Sequence, residues 1–198
     1  MTSPRLLGLY SSHPGSGKSH IARTLLIAQG WSIISFAEPI KEMFISFMSS
    51  AGYDDAHIDD MLSTEKEARI PELGVSPRHM LQTLGVEWAR ECIGPNVWVH
   101  IWEERVTKAL EAGRNVVCDD VRFPNEFAAV KLMGGEMWWV NRPTDRFATD
   151  QFVQTSHASE GALNNHEFDH RVLNEGTLAD LEDLILNELA ANPVEVKA

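Results

Sequence analysis

An eight-residue segment, SHPGSGKS at residues 12–19, restricts what this chain can fold into more than any other feature. An apolar run at residues 6–10 precedes it, and residues 19–29 carry apolar side chains at helical spacing until Gly30 ends the pattern. A second apolar run follows at residues 31–36. Strand, glycine-rich loop, helix and strand in this order predict a βαβ unit with parallel strands and a right-handed crossover.

The glycine-rich segment has the chemistry of a phosphate-binding loop. Glycines let successive backbone N–H groups turn toward an anion, and the N-terminal end of the following helix adds positive charge. Lysine neutralises charge between the β- and γ-phosphates, and the hydroxyl after it suits Mg²⁺. We therefore expect a nucleoside triphosphate to bind at Gly15, Ser16, Gly17, Lys18 and Ser19. Ser12 replaces the usual glycine, a small departure because the most important N–H groups lie nearer Lys18.

The rest of the chain alternates between helix and strand patterns. Expected helices cover residues 41–51, 97–111, 125–133 and 178–189, the last opened by Thr177, and another begins at Ser76-Pro77; expected strands cover residues 115–119, 136–141 and 171–173. Residues 52–75 are acidic and lose their periodicity, which predicts a mobile segment with short helices. The alternation predicts one three-layer α/β domain over residues 1–198.

Charge and composition narrow the class of protein. The formal net charge of −12 argues against nucleic acid as the main ligand, because binding to a phosphate backbone favours a basic face. Cys92 and Cys118 have no metal-type spacing and form no disulfide framework, and Cys118 lies in an apolar run that predicts a buried thiol. No signal peptide is expected, and no apolar run approaches the roughly 20 residues of a membrane span. These features predict a cytoplasmic protein with no membrane partner.

Charged residues follow three of the predicted strands, where each strand ends. They are Glu38 and Lys41, then Asp119, Asp120 and Arg122, then Arg142. The carboxyl ends of parallel strands form the usual ligand-binding edge of such a sheet. Because side chains alternate along a strand, only one of Asp119 and Asp120 can easily face a nucleotide. Arg122 is suited to a bidentate grip on phosphate, with a surface ion pair as the alternative.

The helix that begins at Ser76 carries a second set of candidates. Arg78 lies in its first turn and Arg90 about three turns later, so both could contribute to a site that gathers cations around phosphate. Surface charge is the plainer role for such arginines. Hydrogen bonds to a base could come from Gln82, Glu87, Trp88 or Arg90. Trp88, Phe44 and Trp98 are candidates for either the core or a wall that stacks on a base.

Several strings taken together resemble the phage-type deoxynucleoside monophosphate kinases. They are SPRHMLQTLG at residues 76–85, DVRFPNE at 120–126, HASE at 157–160, FD at 168–169 and NEGT at 174–177. The resemblance covers nearly the whole chain, with nothing familiar between residues 52 and 73. It implies transfer of the γ-phosphoryl group of ATP to a deoxynucleoside 5′-monophosphate. It also implies a nucleoside monophosphate kinase fold, with a five-stranded parallel sheet, a mobile acceptor-binding region at about residues 38–95 and a lid at about 142–165.

The same resemblance implies roles for individual residues. Lys18 and Ser19 would take the donor phosphates and Mg²⁺, with Asp119 as a metal ligand and Asp120 near the metal or the acceptor. The remaining roles are Arg78 and Arg122 for the acceptor phosphate, Arg142 and Arg146 as lid cations, His157, Ser159 and Glu160 for the ATP side, and Glu38 for a carboxylate near the acceptor. A homodimer is also possible by resemblance.

Three other functions stay open on the sequence. A kinase of modified bases within DNA is disfavoured by the negative charge, since strand binding requires a basic groove. A regulatory ATPase would not need arginines around an acceptor phosphate. Another small-molecule kinase is compatible with Glu38-Pro39 after the second strand. The sequence leaves open the base of the acceptor and the choice between Asp119 and Asp120 for the metal.

Overall fold

A computed structural model describes residues 4–143 and 162–191. The described chain forms two compact units. The first contains the residues up to Ser35 and those from Trp102 onward, and the second is Phe36–Ile101. None of the helices in these described ranges combines the length and apolar character that a membrane span requires.

The first unit is built on a five-stranded sheet in which every pairing is parallel. Its strands are β1 (Leu6–Tyr10), β2 (Ser32–Ile33), β3 (Val116–Cys118), β4 (Glu136–Asn141) and β5 (His170–Leu173), in the spatial order β2-β3-β1-β4-β5. β1 is the central strand. The next strand along the chain, β2, lies on one side of β1, and the later strand β4 lies on its other side. The loop after β1 therefore lies where the strand order reverses, the usual place for a ligand in open α/β sheets.

Helices cover both faces of this sheet, as the fully buried strands β1 and β3 require. On one face, α1 (Lys18–Gln29) and α7 (Leu178–Ala191) pack on β1, where Leu7 and Leu9 join Ile21, Leu25 and Ile185 in a buried core. On the other face, α6 (Pro124–Leu132) contacts β1 and β4. The helix α5 (Val97–Glu111) contributes Trp102, whose indole N–H donates to the carbonyl of Ile34 over 3.0 Å. The predicted three-layer α/β fold with a five-stranded parallel sheet is confirmed.

The second unit consists of helices around a smaller apolar core. These helices are α2 (Glu38–Ser50), α3 (Asp55–Leu62), α4 (Pro77–Thr83) and a π-helix (Leu84–Ile93). Phe44, Met48, Ile58, Met61 and Ile70 form the buried core. Part of the segment that lost its periodicity thus forms a short helix, as expected, and supplies apolar anchors to the core.

The structure differs from the sequence-based prediction in two elements. The second strand was expected over residues 31–36, but only Ser32 and Ile33 pair with β3, because β3 itself is three residues long. The helix that begins after Ser76 was expected to continue regularly, but it becomes a π-helix at Leu84. There, the Trp98 indole N–H donates to the Gly85 carbonyl over 2.8 Å. In a regular α-helix, that carbonyl would accept the backbone N–H four residues later.

The expected helix ends are confirmed. The Ser76 hydroxyl accepts the N–H of His79 over 3.3 Å, and the Thr177 hydroxyl accepts the N–H of Asp180 over 3.3 Å. Gly30 closes α1 in the left-handed conformation with φ of 68°. The local chemistry of caps therefore predicted these boundaries well.

Candidate active site

The loop between β1 and α1 has the backbone that its glycines predict. Gly15 and Gly17 have φ of 75° and 108°, in the left-handed region that favours glycine. None of the described non-glycine residues has a positive φ, so Ser12 does not occupy such a position. The replacement of the usual glycine by Ser12 is therefore compatible with the fold of this loop.

Asn174, which follows β5, supports the loop from beneath. Its side chain is only 3% exposed, and Nδ2 donates to the Ser16 carbonyl over 2.9 Å. Its backbone N–H donates to the carbonyl of Asn141, at the end of β4, over 2.7 Å. A Cβ atom on Gly17 would lie 2.9 Å from Asn174 Nδ2 and 2.8 Å from Leu181 Cδ2. The loop therefore rests directly on these two side chains. Asn174 belongs to the NEGT string, but no role was predicted for it from the sequence.

Lys18 lies in a strongly perturbed environment. Its ammonium group donates a hydrogen bond to the Ser11 hydroxyl. Burial, and after it the positive charge of Arg122, lower the pKa of Lys18 to about 8, although the charges of Asp119 and Asp120 act in the opposite direction. The charges of Arg122, Asp119 and Asp120 therefore all act on Lys18, which agrees with the predicted position of these residues at the end of a strand beside the loop.

Asp119 bridges two hydroxyl groups. Its Oδ2 accepts a hydrogen bond from Ser19 over 2.8 Å, and its Oδ1 accepts one from Ser35 over 2.8 Å. Sequence reasoning identified Ser19 and Asp119 but missed Ser35. The signal lies in the register of the sheet: Ser32 pairs with Val116 and Ile33 with Val117, an offset that places Ser35 beside Asp119.

Asp120 has a different partner from Asp119. Its Oδ1 accepts a hydrogen bond from the thiol of Cys118 over 3.3 Å. Cys118 is fully buried, as expected, and burial raises its pKa well above the usual value, with a further contribution from the charge of Asp120. The thiol is therefore a neutral donor at physiological pH. The two neighbouring carboxylates are thus held by separate groups.

The DVRFPNE string forms a tight connection between β3 and α6. The Glu126 side chain is 3% exposed, and its Oε2 accepts the backbone N–H groups of Arg122 over 2.7 Å and Phe123 over 3.0 Å. Pro124 begins the helix, where its missing N–H is not needed. Glu126 therefore fixes the backbone of Arg122, whose side chain is exposed.

Arg142 lies beside the phosphate loop. It is exposed, and it lines a cleft of about 270 Å³ formed by residues 11–16 and 140–143. The cleft is thus bounded by the loop after β1 and by the end of β4. Arg146, His157, Ser159 and Glu160 lie outside the described residues, as does most of the predicted lid at residues 142–165.

The other acceptor-binding candidates belong to the second unit. Glu38 and Lys41 lie on α2, Arg78 and Gln82 on α4, and Glu87, Trp88 and Arg90 on the π-helix. Arg78 pairs with the Glu67 carboxylate, and Arg90 Nη1 donates to the Pro95 carbonyl over 3.0 Å. The side chain of Trp88 is 45% exposed, whereas Phe44 and Trp98 are buried in the core.

Several known proteins are similar to this chain. A relative from Acanthamoeba polyphaga mimivirus, provisionally named as a deoxynucleotide monophosphate kinase, is 27% identical over 92% of this chain and 94% of its own. The deoxynucleoside-5′-monophosphate kinase of Escherichia phage T5 is 38% identical over 33% of this chain and 26% of its own. Among solved structures, a dephospho-CoA kinase from Campylobacter jejuni aligns with a TM-score of 0.48 and 12% identity over 96% of this chain and 98% of its own.

The family model for deoxynucleotide monophosphate kinases matches residues 26–185. This range begins after the phosphate loop, so the loop is evidence separate from the match. It includes the SPRHMLQTLG and DVRFPNE strings, which together are the specific part of the resemblance. The chain therefore belongs to the deoxynucleotide monophosphate kinase family.

Proposed function

We propose that this kinase transfers the γ-phosphoryl group of ATP to the 5′-phosphate of a deoxynucleoside monophosphate, giving a deoxynucleoside diphosphate and ADP. The observation that carries the proposal is a glycine-rich loop whose Lys18 feels the charges of Asp119, Asp120 and Arg122 and whose Ser19 contacts Asp119. Phosphoryl transfer needs positioning and charge stabilisation far more than covalent chemistry. A lysine, an arginine and two carboxylates meet that need.

Lys18 and the loop backbone form the donor half of the proposed site. The glycine conformations at positions 15 and 17 suit a loop that turns its N–H groups toward phosphate oxygens. Lys18 Nζ, held by Ser11, would exchange that hydroxyl for the phosphate oxygens of ATP. A bound polyanion favours the charged ammonium, which offsets the desolvation that lowers the pKa of Lys18 in the free enzyme.

Ser19 and Asp119 are the proposed ligands for Mg²⁺. A hydroxyl and a carboxylate are hard oxygen donors of the kind that Mg²⁺ prefers, with phosphate oxygens and water completing its shell. Their direct contact of 2.8 Å places both donors at one point. When bound, the ion would neutralise charge on the β- and γ-phosphates. We assign the metal to Asp119, because its carboxylate contacts Ser19, whereas the carboxylate of Asp120 accepts the Cys118 thiol.

Arg122 is the proposed anchor for the acceptor phosphate in the first unit. Its guanidinium is exposed while its backbone is fixed by Glu126, an arrangement that holds the base of the side chain and leaves its charged end accessible. Glu38, Lys41, Arg78, Gln82, Glu87, Trp88 and Arg90 are the proposed acceptor-binding residues of the second unit. Arg78 would then exchange its pairing with Glu67 for the acceptor phosphate.

Exclusion of water is the remaining requirement, because an exposed γ-phosphoryl group would be hydrolysed. Arg142 and Arg146 are the proposed lid cations. A cytoplasmic location, the lack of a nucleic-acid partner, a single functional domain and a possible homodimer stay predictions. The negative net charge supports free nucleotides as acceptors, since it does not favour a strand-binding groove.

The decisive experiment measures ADP release with a panel of acceptors. The panel contains the free deoxynucleoside monophosphates, base-modified ones, oligonucleotides with the same modified bases, and no acceptor. We expect release that depends on one or a few free monophosphates and that disappears in Lys18→Ala while its fold persists. Activity with oligonucleotides alone would instead indicate a kinase that acts on modified bases within DNA. Release that ignores the acceptor, or full activity of folded Lys18→Ala, would refute the proposal.

A further inference from the structure

Ser35 is a polar residue two positions after β2, and no sequence motif singles it out. The backbone N–H of Ile34 donates to the Val117 carbonyl over 3.0 Å, so the parallel register of β2 and β3 continues to the end of the pair. Ser35 and Asp119 are separated by 84 positions, the same offset as Ser32 and Val116. The sheet itself therefore sets Ser35 beside Asp119.

The two carboxylate oxygens of Asp119 are held from different elements. Ser19, which belongs to the phosphate loop and α1, donates to Oδ2, and Ser35 donates to Oδ1, each over 2.8 Å. The terminal torsion of an aspartate is broad, so one hydrogen bond leaves the carboxylate free to rotate. A second donor on the sheet restricts that rotation.

The difference between the two donors matters when a nucleotide binds. Ser19 is itself a proposed metal ligand, so its hydroxyl would turn away from Asp119 when it coordinates an ion. Ser35 would keep its hydrogen bond, because it uses the opposite oxygen. Partners that orient metal ligands in this way commonly change metal affinity by about 10- to 100-fold when they are removed.

We propose that Ser35 is a positioning residue that aims Oδ2 of Asp119 at the metal and Ser19, an inference that rests on the metal role proposed above for Asp119. Ser35 touches neither nucleotide nor metal. Ser35 orients the Asp119 carboxylate. Removal of its hydroxyl should therefore reduce the affinity for ATP with Mg²⁺ and leave the affinity for ATP without Mg²⁺ unchanged.

The test compares Ser35→Ala with Ser32→Ala, a matched serine-to-alanine control three residues earlier, in β2. The Ser32 hydroxyl accepts a hydrogen bond from Arg114 over 3.3 Å and does not act on Asp119. ATP affinity is measured by calorimetry with and without Mg²⁺, and the ratio of the two dissociation constants gives the metal-dependent gain. We expect Ser35→Ala to reduce this gain by about 10-fold, with metal-free affinity unchanged and with Ser32→Ala like the parent. Ser35→Thr, which keeps a hydroxyl, should restore most of the gain.

Asp119→Asn separates failure of this inference from failure of the proposed function. If Asp119→Asn removes the gain and Ser35→Ala does not, the positioning role is wrong and the metal assignment stands. If Asp119→Asn retains the gain, the metal assignment itself is wrong. In the expected case the double variant Ser35→Ala/Asp119→Asn resembles Asp119→Asn alone, since Ser35 acts only through that carboxylate. A lower melting temperature for Ser35→Ala with an intact gain would assign Ser35 to the stability of β2 and overturn the proposal.

Discussion

Asn174 Nδ2 lies 2.9 Å from the carbonyl oxygen of Ser16 and donates a hydrogen bond to it. The same residue uses its backbone N–H to bind the carbonyl of Asn141 over 2.7 Å. One buried residue after β5 therefore connects the phosphate loop to the end of β4, through its side chain to the loop and through its backbone to β4. The loop takes its shape from its glycines, but its place against the sheet depends on this distant asparagine.

Substitution of this residue tests the connection. Asn174→Ala leaves the Ser16 carbonyl without its partner in a buried place, which costs about 1–3 kcal/mol. We expect the free energy of unfolding to fall by that amount and the dissociation constant of ATP to rise by about 10-fold, an effect equal to about 1.4 kcal/mol. Urea unfolding and calorimetry measure the two quantities. Asn187→Ala is the control, because Asn187 is an exposed residue of α7. Normal ATP affinity of the Asn174→Ala protein would show that Asn174 has a structural role alone.

Gly17 carries both a backbone and a packing requirement. Its φ of 108° costs an L-residue about 1–2 kcal/mol, and a Cβ atom would also lie under 3.0 Å from Leu181 and Asn174. We expect Gly17→Ala to lose about 3 kcal/mol of stability, since overpacking adds to the strain. Gly30→Ala has a similar left-handed φ of 68° and no atom within 4 Å of its Cβ. Equal losses in the two variants, measured by denaturant unfolding, would contradict the packing contribution.

The lowered pKa of Lys18 predicts a pH dependence of ATP binding. In the free enzyme, Lys18 has a pKa of about 8 and loses its positive charge above that pH. Bound phosphates favour the charged ammonium group, so Lys18 stays protonated in the complex. ATP binding should therefore take up about 0.5 proton at pH 8 and weaken by about 5-fold between pH 8 and pH 9. Calorimetry in buffers of different ionisation enthalpy measures the uptake. Lys18→Arg, which stays charged, should show neither effect, and proton uptake in that variant would assign the titration to another group.

Arg122 is expected to act on the acceptor more than on ATP. Removal of a guanidinium that holds a phosphate costs about 1.5–3 kcal/mol, so Arg122→Ala should raise the acceptor KM by about 10- to 100-fold. The KM for ATP should change by less than 3-fold, roughly the size of an indirect effect. Steady-state kinetics with each substrate varied in turn decides the point. Arg23→Ala removes an exposed arginine from α1 as a control. Equal changes in both KM values would reassign Arg122.

Local chemistry made much of the fold predictable. Apolar runs of strand length and apolar residues at helical spacing identified the strands and most helices, and Ser76 and Thr177 marked helix starts because caps depend on neighbours in sequence. The regular continuation of the helix past Leu84 was wrong, because the indole of Trp98 that binds the Gly85 carbonyl comes from a later helix. The exposure of the Trp88 side chain likewise depends on tertiary packing, which the residues next to it in the sequence do not indicate.

Local patterns in the chain are enough to predict the phosphate loop, the alternation of strands and helices, and the charged residues at the strand ends. Each of these depends on groups a few residues apart. By contrast, the hydrogen bonds of Asp119 with Ser19 and Ser35, and that of Asn174 with Ser16, are visible in the folded chain alone. These pairs lie between 84 and 158 positions apart, and they meet because parallel strands joined by crossovers bring the carboxyl ends of distant segments to one edge. The register of that sheet is a property of the whole fold, so no local pattern contains it.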